Sequence, residues 1–501
     1  MSTNTIQVVM QPDGNGDYAA AIQAAIDEML AAPAQVNNIL VPPGDWQVNQ
    51  VPGGALKINL KTLPSGGWLN LISQSSPANV VQQNGFTMPN VPNCVFRSKI
   101  PNKNNLTQTI STVALQGSDF ENTQNPGYVW SQNRHCGLVG LTMLGYVLVE
   151  PSLGGGFADN QGIGIDGVDG FVVYNCAVDS NTANNIGVQN SRGVISNSAI
   201  TGLYFDAIGG IWNYGVQVSG NLFPASISSA YGIATWVEDV TKIWGKYDWI
   251  GIPLTYDILP TSAVWTPNFE TAQTSNLTFT AGPVYMEDCF FDRCRHSVTA
   301  SSWGYYVVRN SNFVRGRPGG FPFCDMHGGP RSNLANTAYA TRFGEIYNCT
   351  FDGLGQDPAN PNGVSATSYG VDTQGGGGIF YNNTIKNVVD GINIAARGYD
   401  ASMPNDPQYP WNTYVWNNKF ANVQNILYLG AGVTAGKNYF TDSCGGLVTP
   451  TTPAPPPAGW TPYTYPHPLV TQLIGMLPPP VTGLSVYSTL AGIPFNVTKI
   501  A

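Results

Sequence analysis

The chain is poor in charged residues and has no long hydrophobic run. Only 10% of its 501 residues are charged, which excludes a long-helix protein, because such proteins need many charged helix formers. No run of about 18 apolar residues occurs, so no transmembrane helix and no membrane insertion are expected. The formal net charge of −9 disfavours nucleic acid as a partner, since proteins that bind nucleic acid are usually basic.

Histidine is scarce, and the cysteines form no metal-binding motif. The chain has 4 histidines, 8 cysteines and no Cys-x-x-Cys pair, so a zinc site is not expected. The Asp-Gly-rich stretch 162–171 would permit calcium, but it matches no specific calcium motif, and ordinary turn chemistry explains it better. We therefore expect no metal and no cofactor. Residues 1–14 lack the regions of a secretory signal peptide, so none is expected in this sequence.

Glycine, proline and a short repeat are abundant instead. The 57 glycines and 37 prolines are typical of many short strands separated by turns. Eight segments align, each ending in Val, Ile or Phe: YNCAV (174–178), SNSAI (196–200), SGNLF (219–223), EDCFF (287–291), RNSNF (309–313), YNCTF (347–351), YNNTI (381–385) and WNNKF (416–420). Their last residues are spaced by 22, 23, 68, 22, 38, 34 and 35, which indicates coils of near 22 residues with loop insertions.

A period this short predicts an all-β solenoid, namely a right-handed parallel β-helix. Each strand then pairs in parallel with its copy one coil away, so residues of one repeat slot stack on their own kind. Stacked Asn amides can hydrogen-bond along the axis, while Val, Ile and Phe fill the interior. Cys176, Cys289 and Cys349 share one slot with serine and asparagine, which predicts small packed side chains rather than redox centres.

The first 50 residues have the pattern of a cap. In DYAAAIQAAIDEML (17–30), Asp17 is placed to cap a helix. One face of this helix carries the apolar residues Ala21, Ile22, Ala25, Ile26 and Met29. Because a solenoid end exposes unpaired strand edges, we expect the helix to cover it.

This opening resembles that of the pectate-lyase-like β-helix superfamily. PDGNGDYAAAIQAAID (12–27) is similar to its D-G-x-x-D-x-x-A-I-Q-A-A-I-D opening. ILVPPGDWQV (39–48) is similar to its V-P-x-G-x-Y strand, with Trp46 in the tyrosine position. The superfamily includes pectate and alginate lyases, polygalacturonase-like hydrolases, mannuronan epimerases and phage tailspikes. The resemblance implies the fold and a polysaccharide ligand, but a fold does not specify a reaction.

We predict three parts: an N-terminal cap at 1–50, a parallel β-helix at 51–448 with insertions, notably 236–283, and a Pro-rich tail at 449–501. Twelve prolines lie between Pro450 and the end of the chain. We expect this tail to run extended along the solenoid or to cap its far end. His467, between two prolines, is expected to be structural.

The arginines are unevenly distributed. Seven of the eleven lie between residues 293 and 342, together with His296 and two residues of the stretch CDMHGGPR (324–331), Asp325 and His327. Residues one coil apart are roughly 5 Å apart, so this window predicts a positive patch on an acidic protein. The candidate substrate-binding residues are Arg295, Arg309, Arg331 and Arg342.

A positive patch with histidine and tyrosine is suited to an acidic polysaccharide. Arginine binds a carboxylate bidentately, and neutralising a uronate carboxylate eases removal of the neighbouring C5 proton. We expect His327 or His296 to be the base, Asp325 to fix the tautomer of a nearby histidine, and Tyr305 or Tyr306 to be the acid. The sequence therefore predicts a lyase or epimerase site within 293–345.

Family motifs give this prediction limited support. The triplet Asp325-Met326-His327 is similar to the Asp-Pro-His element of mannuronan epimerases, with the middle residue changed. The Gly-His-Gly and Arg-Ile-Lys elements of polygalacturonases and the Arg-x-Pro-x-x-Arg element of pectate lyases are missing. These absences disfavour those two activities.

The insertion at 236–265 is rich in aromatic residues. Trp244 and Trp249 are candidates for stacking on sugar rings, which present apolar C–H groups. Hydrophobic anchoring of the loop or a subunit contact explains them as well.

Two functions remain open. The first is an extracellular or virion-associated protein that engages a polysaccharide or cell-surface glycan and processes it. The alternative is a non-catalytic structural or receptor-binding subunit, such as a virion spike or fibre, in which the arginines only pair with neighbouring carboxylates. The alternative predicts a stable homo-oligomer.

Overall fold

The structure is a computed structural model, and it describes most of the coils and part of the tail. The described residues are 1–49, 56–74, 80–83, 86–89, 94–99, 110–117, 134–144, 160–179, 184–189, 191–201, 214–219, 283–292, 294, 296–301, 304–314, 321–327, 341, 343–353, 369–395, 410–456 and 460–478.

The described residues contain 32 strands and two α-helices, α1 (Ala19–Ala31) and α2 (Pro468–Ile474). The first sixteen strands are β1 (Thr3–Gln7), β2 (Val36–Val41), β3 (Gly44–Asn49), β4 (Leu56–Asn59), β5 (Trp68–Ser73), β6 (Val80–Gln83), β7 (Phe86–Pro89), β8 (Cys94–Lys99), β9 (Ile110–Gln116), β10 (His135–Val139), β11 (Leu141–Leu144), β12 (Asn160–Asp166), β13 (Asp169–Tyr174), β14 (Ala177–Asp179), β15 (Asn184–Gln189) and β16 (Arg192–Ser196). The others are β17 (Ala199–Thr201), β18 (Tyr214–Ser219), β19 (Val284–Glu287), β20 (Phe290–Asp292), β21 (His296–Ser301), β22 (Tyr305–Arg309), β23 (Asn312–Val314), β24 (Pro322–Met326), β25 (Phe343–Tyr347), β26 (Thr350–Asp352), β27 (Tyr369–Thr373), β28 (Gly376–Tyr381), β29 (Thr384–Ile394), β30 (Pro410–Trp416), β31 (Lys419–Leu429) and β32 (Tyr439–Thr441).

Parallel pairing between successive coils defines the architecture. Twelve strands form one sheet in the order β1-β2-β5-β10-β13-β16-β19-β22-β25-β28-β30-β32. A second sheet of 18 strands contains two strips, one of short strands that includes β20, β23 and β26, and one that includes β21, β24 and β27. The strips merge in β29 and β31, which pair with each other in parallel. The chain is therefore a parallel β-helix, as the repeat predicts.

The repeat slots stack as predicted. Asn310, Asn348 and Asn382 all have positive φ values of 52°, 57° and 54°, a backbone conformation in which asparagine is enriched. Their amides form a ladder in which Asn382 Nδ2 donates to Asn348 Oδ1 at 2.7 Å and Asn348 Nδ2 donates to Asn310 Oδ1 at 3.2 Å. The next slot carries the cysteines, and all eight cysteines of the chain are free and buried, which confirms their packing role.

The interior is filled by the large apolar residues of the repeats. The rings of Phe291, Phe313 and Phe351 stack in successive coils with centroids 4.6 Å apart. Each ring covers its neighbours from water, so the stack extends the core along the axis.

Helix α1 packs on the first coils and buries Ile22, Ala25, Ile26 and Met29. The residue before its first turn is Tyr18 rather than the predicted Asp17, but Asp17 Oδ1 still accepts a hydrogen bond from Ala19 N at 2.8 Å. The predicted capping helix is therefore confirmed, whereas the predicted N-cap Asp17 is wrong by one residue. No helix within the described ranges is long and apolar enough to cross a membrane.

The Pro-rich tail returns along the outer face of the 12-stranded sheet. We call residues 460–478 the strap. It begins where Trp460 packs against Tyr381 and Trp416, with ring centroids 5.0 and 5.2 Å away. It ends with α2, which packs against β13 and β16. The strap thus runs from the last coils back towards the first ones, in agreement with the prediction of an extended tail along the solenoid.

Candidate active site

A row of polar side chains crosses the outer face of β21, β24, β27, β29 and β31. Thr299, Asp325, Asp372, Asn393 and Tyr428 are register partners in these five successive strands. The residues that flank Asp325 in β24 belong to the hydrophobic core. Because side chains alternate along a strand, Asp325 points away from the core. The row nevertheless ranges from buried Asp325 to exposed Tyr428.

Two histidines meet at the Asp325 carboxylate. His327 Nδ1 lies 3.0 Å from Asp325 Oδ2, and His296 Nδ1 lies 3.7 Å from the same oxygen. Thr299 Oγ1 donates a hydrogen bond to Oδ2 at 3.3 Å. The Asp325 side chain is 1% exposed, whereas that of His327 is 32% exposed. His327 is therefore the member of this group that a ligand can reach.

Asp325 sets the tautomer of His327. Burial favours the neutral carboxyl, but the hydrogen bond from His327 and the charges of both histidines outweigh it, so the pKa of Asp325 lies below its ordinary value. An ionised carboxylate only accepts hydrogen bonds, so the proton of a neutral His327 ring is on Nδ1. The lone pair is then on Nε2, the ring atom that can take a proton.

A second carboxyl, Asp372, follows one coil later. Asp372 and Asp325 are register partners in neighbouring strands, whose spacing is about 4.8 Å. Burial, and then the negative charge of Asp325, raise the pKa of Asp372 well above its ordinary value. Gln374 Nε2 donates to Asp372 Oδ2 at 2.7 Å, while Asp372 Oδ1 has no partner among the described residues. Asp372 is thus suited to hold a proton beside the His327 base.

The chain that leaves this site returns to it. Thr341 N donates to the carbonyl oxygen of His327 at 2.8 Å, and Thr341 Oγ1 donates to the carbonyl oxygen of Ala300. The sequence connects Thr341 directly to Arg342 and His296 directly to Arg295. Two of the predicted arginines are therefore covalent neighbours of residues that lie at the site.

Five of the predicted substrate-binding residues fall outside the described ranges. These are Arg295, Arg331, Arg342, Trp244 and Trp249. Their predicted roles, and the aromatic insertion as a whole, remain predictions.

Tyr305 and Arg309 do not lie with His327. They belong to β22 of the 12-stranded sheet, and the strap buries both. Arg309 Nη2 donates to Glu287 Oε2 at 2.8 Å and to the carbonyl oxygen of Thr464 at 2.7 Å. Tyr305 Oη donates to Glu345 Oε1 at 2.7 Å. The sequence grouped Tyr305 and Arg309 with the histidines, but the structure places them on a different sheet. Residues that are close in sequence lie alternately on the two sheets of a coil and on the two faces of a strand.

Tyr306, the other predicted acid, points inward. It belongs to the main hydrophobic core, and burial raises its pKa well above the ordinary value. Its hydroxyl has no hydrogen-bond partner in the described part of the chain.

Sequence reasoning missed Asp372, Gln374 and Asn393. The available signal was the repeat, since YGVDT (369–373) occupies the place of PFCDM (322–326) one coil later. Insertions of unequal length between coils hide that correspondence. Within the described ranges, no cluster of three or more His, Cys, Asp or Glu residues is arranged to hold a metal ion.

Comparison with known proteins gives structural likeness only. No protein-family model and no curated protein significantly matches the chain. The ORF18 protein of Geobacillus virus E2 is 12% identical with a TM-score of 0.38, and the match covers 86% of this chain and 63% of that protein. The chain thus spans less than two thirds of that protein.

Two enzymes are similar to the same degree. An alginate lyase from Paenibacillus sp. is 12% identical with a TM-score of 0.41, covering 85% of this chain and 99% of the lyase. The A-module of an Azotobacter vinelandii mannuronan C-5 epimerase is 12% identical with a TM-score of 0.34, covering 88% of this chain and 100% of the module. At these values the likenesses assign no activity or ligand. The parallel pairing of its own strands identifies the chain as a parallel β-helix protein.

Proposed function

We propose that this protein engages an acidic polysaccharide and acts on it as a lyase or epimerase, with His327 as the base. The observation that carries the proposal is the buried Asp325 carboxylate, which binds the accessible His327 and has the raised-pKa carboxyl of Asp372 beside it. Pairs of ionisable groups whose surroundings separate their pKa values are typical of acid–base sites.

In the proposed reaction, His327 removes one proton and Asp372 donates one. His327 Nε2 removes the C5 proton of a uronate, and the electron pair left at C5 is delocalised into the carboxylate. In a lyase, this pair forms the C4–C5 double bond as the C4–O4 bond breaks, and Asp372 donates a proton to the leaving oxygen. In an epimerase, the C4–O4 bond stays intact and Asp372 instead donates its proton to C5 on the opposite face.

The substrate carboxylate requires a positive partner, because the described part of the site is rich in carboxylates. We assign this role to Arg342 and Arg295, which adjoin Thr341 and His296, and to Arg331. Arginine pairs with a carboxylate through two parallel hydrogen bonds, and it stabilises the charge that develops on removal of the C5 proton.

A panel of polyuronates tests the proposal. The native protein should produce ultraviolet absorbance from an unsaturated uronate, or a changed uronate composition without chain cleavage. His327→Gln should lower kcat at least about 100-fold, the usual contribution of a positioned base. His135→Gln is the matched control, since His135 is a histidine of β10 that lies outside the site.

The products separate the alternatives. New reducing ends without unsaturated products would contradict the lyase proposal. They would indicate hydrolysis by the Asp325 and Asp372 pair instead. Glycan binding without turnover would support the receptor-binding subunit, outside the cell or on a virion. Neither binding nor turnover across the panel would reject the proposal.

A further inference from the structure

Hydrogen bonds with charged groups of the sheet hold the middle of the strap, beside the apolar contacts of its two ends. Arg309 Nη1 donates to the carbonyl oxygen of Tyr463 at 2.9 Å. Tyr465 Oη donates to both Asp288 oxygens, at 2.9 and 3.0 Å. The backbone N–H of His467 donates to Glu287 Oε1 at 3.0 Å. These contacts hold the middle of the strap on β19 and β22.

His467 joins this middle part to helix α2. Its Nδ1 accepts a hydrogen bond from Leu469 N at 3.2 Å, so the imidazole is the N-terminal cap of the helix. Its ring packs on Tyr285 with centroids 4.5 Å apart. An acceptor at Nδ1 requires the neutral ring, because protonation would place an N–H opposite the N–H of Leu469.

We propose that the strap is a pH-sensitive latch on the 12-stranded sheet, and that protonation of His467 releases it. The protonated ring would lose the cap and place a positive charge at the N-terminus of α2, where the helix dipole disfavours cations. The inference is independent of the proposed reaction, since the strap covers a different sheet from the His327 site.

The charged groups around His467 favour its neutral ring in the docked strap. Burial, and then the positive charges of Arg309 and Arg192, lower the pKa of His467 from its ordinary 6.5 to about 4. The Glu287 carboxylate accepts hydrogen bonds from Arg309 and from the backbone N–H of His467. Asp288 also lies beside the strap: burial raises its pKa, while the hydrogen bond from Tyr465 acts to lower it.

The sign of the effect follows from the lowered pKa. A docked strap that resists protonation is fully stable above the ordinary pKa of histidine, and its stability falls as the pH drops from 6.5 towards 4. The full difference between these values corresponds to a change of about 100-fold or more in the docking equilibrium.

Hydrogen exchange of the full chain tests the latch. Protection factors of strap amides, corrected for intrinsic exchange, should fall by up to about 100-fold between about pH 7 and about pH 4. Helix α1 should keep its protection, which shows that the β-helix is folded. His467→Asn provides a neutral cap through its side-chain oxygen, so the strap of this variant should remain protected across the whole range.

His467→Ala completes the design. It removes the cap and the titrating group together, so strap protection should be about 5-fold below that of the native protein at neutral pH, the usual cost of a lost cap, and should not fall further as the pH drops. Equal loss of protection with falling pH in His467→Asn and the native protein would show that the carboxylates, not His467, control the strap. A native strap that stays protected at low pH would overturn the latch altogether.

Discussion

The buried charged residues fall into two kinds, those with complete hydrogen bonding and those without it. Arg309 and Glu287, 1% and 0% exposed, form a pair that the strap covers, and each has several hydrogen bonds. Asp372 is also buried, but one of its oxygens has no partner in the described ranges and the nearby charge is negative. A well-satisfied pair indicates a structural role, whereas an unfavourable carboxyl is typical of a functional site.

Replacing Asp372 should therefore stabilise the fold. Its raised pKa means that the native protein holds this proton more tightly than the unfolded chain does, so stability falls as the pH rises above the ordinary value of 3.8. Asp372→Asn keeps the shape and removes the charge. Its Tm at neutral pH should rise by a few degrees, while turnover of a polyuronate should be lost.

A pH series distinguishes this explanation from improved packing. The stability advantage of Asp372→Asn should grow with rising pH and disappear at acid pH, where Asp372 is protonated anyway. Asp27→Asn, the same replacement at an exposed helix position, is the matched control for the substitution itself. An advantage of equal size at every pH would contradict the electrostatic origin.

At the scale of the element, the turns between strands depend on asparagine. Asn348 has a φ of 57° and uses both ends of its amide in the ladder. Asn348→Ala should cost about 2–3 kcal/mol, from the left-handed backbone and the lost hydrogen bonds. Asn348→Gly should cost about 1 kcal/mol less, since glycine accepts this backbone. Urea unfolding measures both, and equal losses would show that backbone strain contributes nothing.

The capping helix should also contribute measurably. Ile26 is fully buried between α1 and the first coils. Ile26→Ala should lower the free energy of unfolding by about 2–4 kcal/mol, because it leaves a cavity in the core. Glu28→Ala, on the exposed face of the same helix, should change it by less than about 0.5 kcal/mol. Thermal unfolding of the two variants makes the comparison, and an unaffected Ile26→Ala would mean that the helix is not needed as a cap.

How much the sequence predicted depends on the element. The Asn slot, the packed cysteines and the capping helix were predictable because each follows from a local pattern with a fixed period. The pairing of Asp325 with His327 was predictable because the two are close in sequence. The approach of Asp372 was not, since 47 positions separate it from Asp325 and loop length is not periodic. Tyr305 was misplaced because a window of sequence does not show which face a strand exposes.

For the whole molecule, the strap spans several coils, whereas the sheet strands of each coil pair with those of the adjacent coils. Trp460 packs on Tyr381 and Trp416 and donates from Nε1 to Glu345 Oε2 at 3.3 Å. Trp460→Ala should free the start of the strap and uncover these aromatic rings. We expect increased fluorescence of a hydrophobic dye with an unchanged far-UV circular dichroism spectrum. Thr461→Ala, an exposed neighbour, is the control, and equal dye binding by both variants would contradict the role of Trp460.

The path of the strap also determines when it can fold relative to the coils. Coils pair with their neighbours, so each can form as soon as the previous one exists. The strap instead joins residues far apart in sequence, as when Arg309 binds Thr464, 155 positions later. Its binding surface extends from β30 back to β10, where Leu473 packs over Gly137, and exists only after all these coils have formed. We therefore expect the strap to be the last part of the described chain to fold and the first to detach when the protein unfolds.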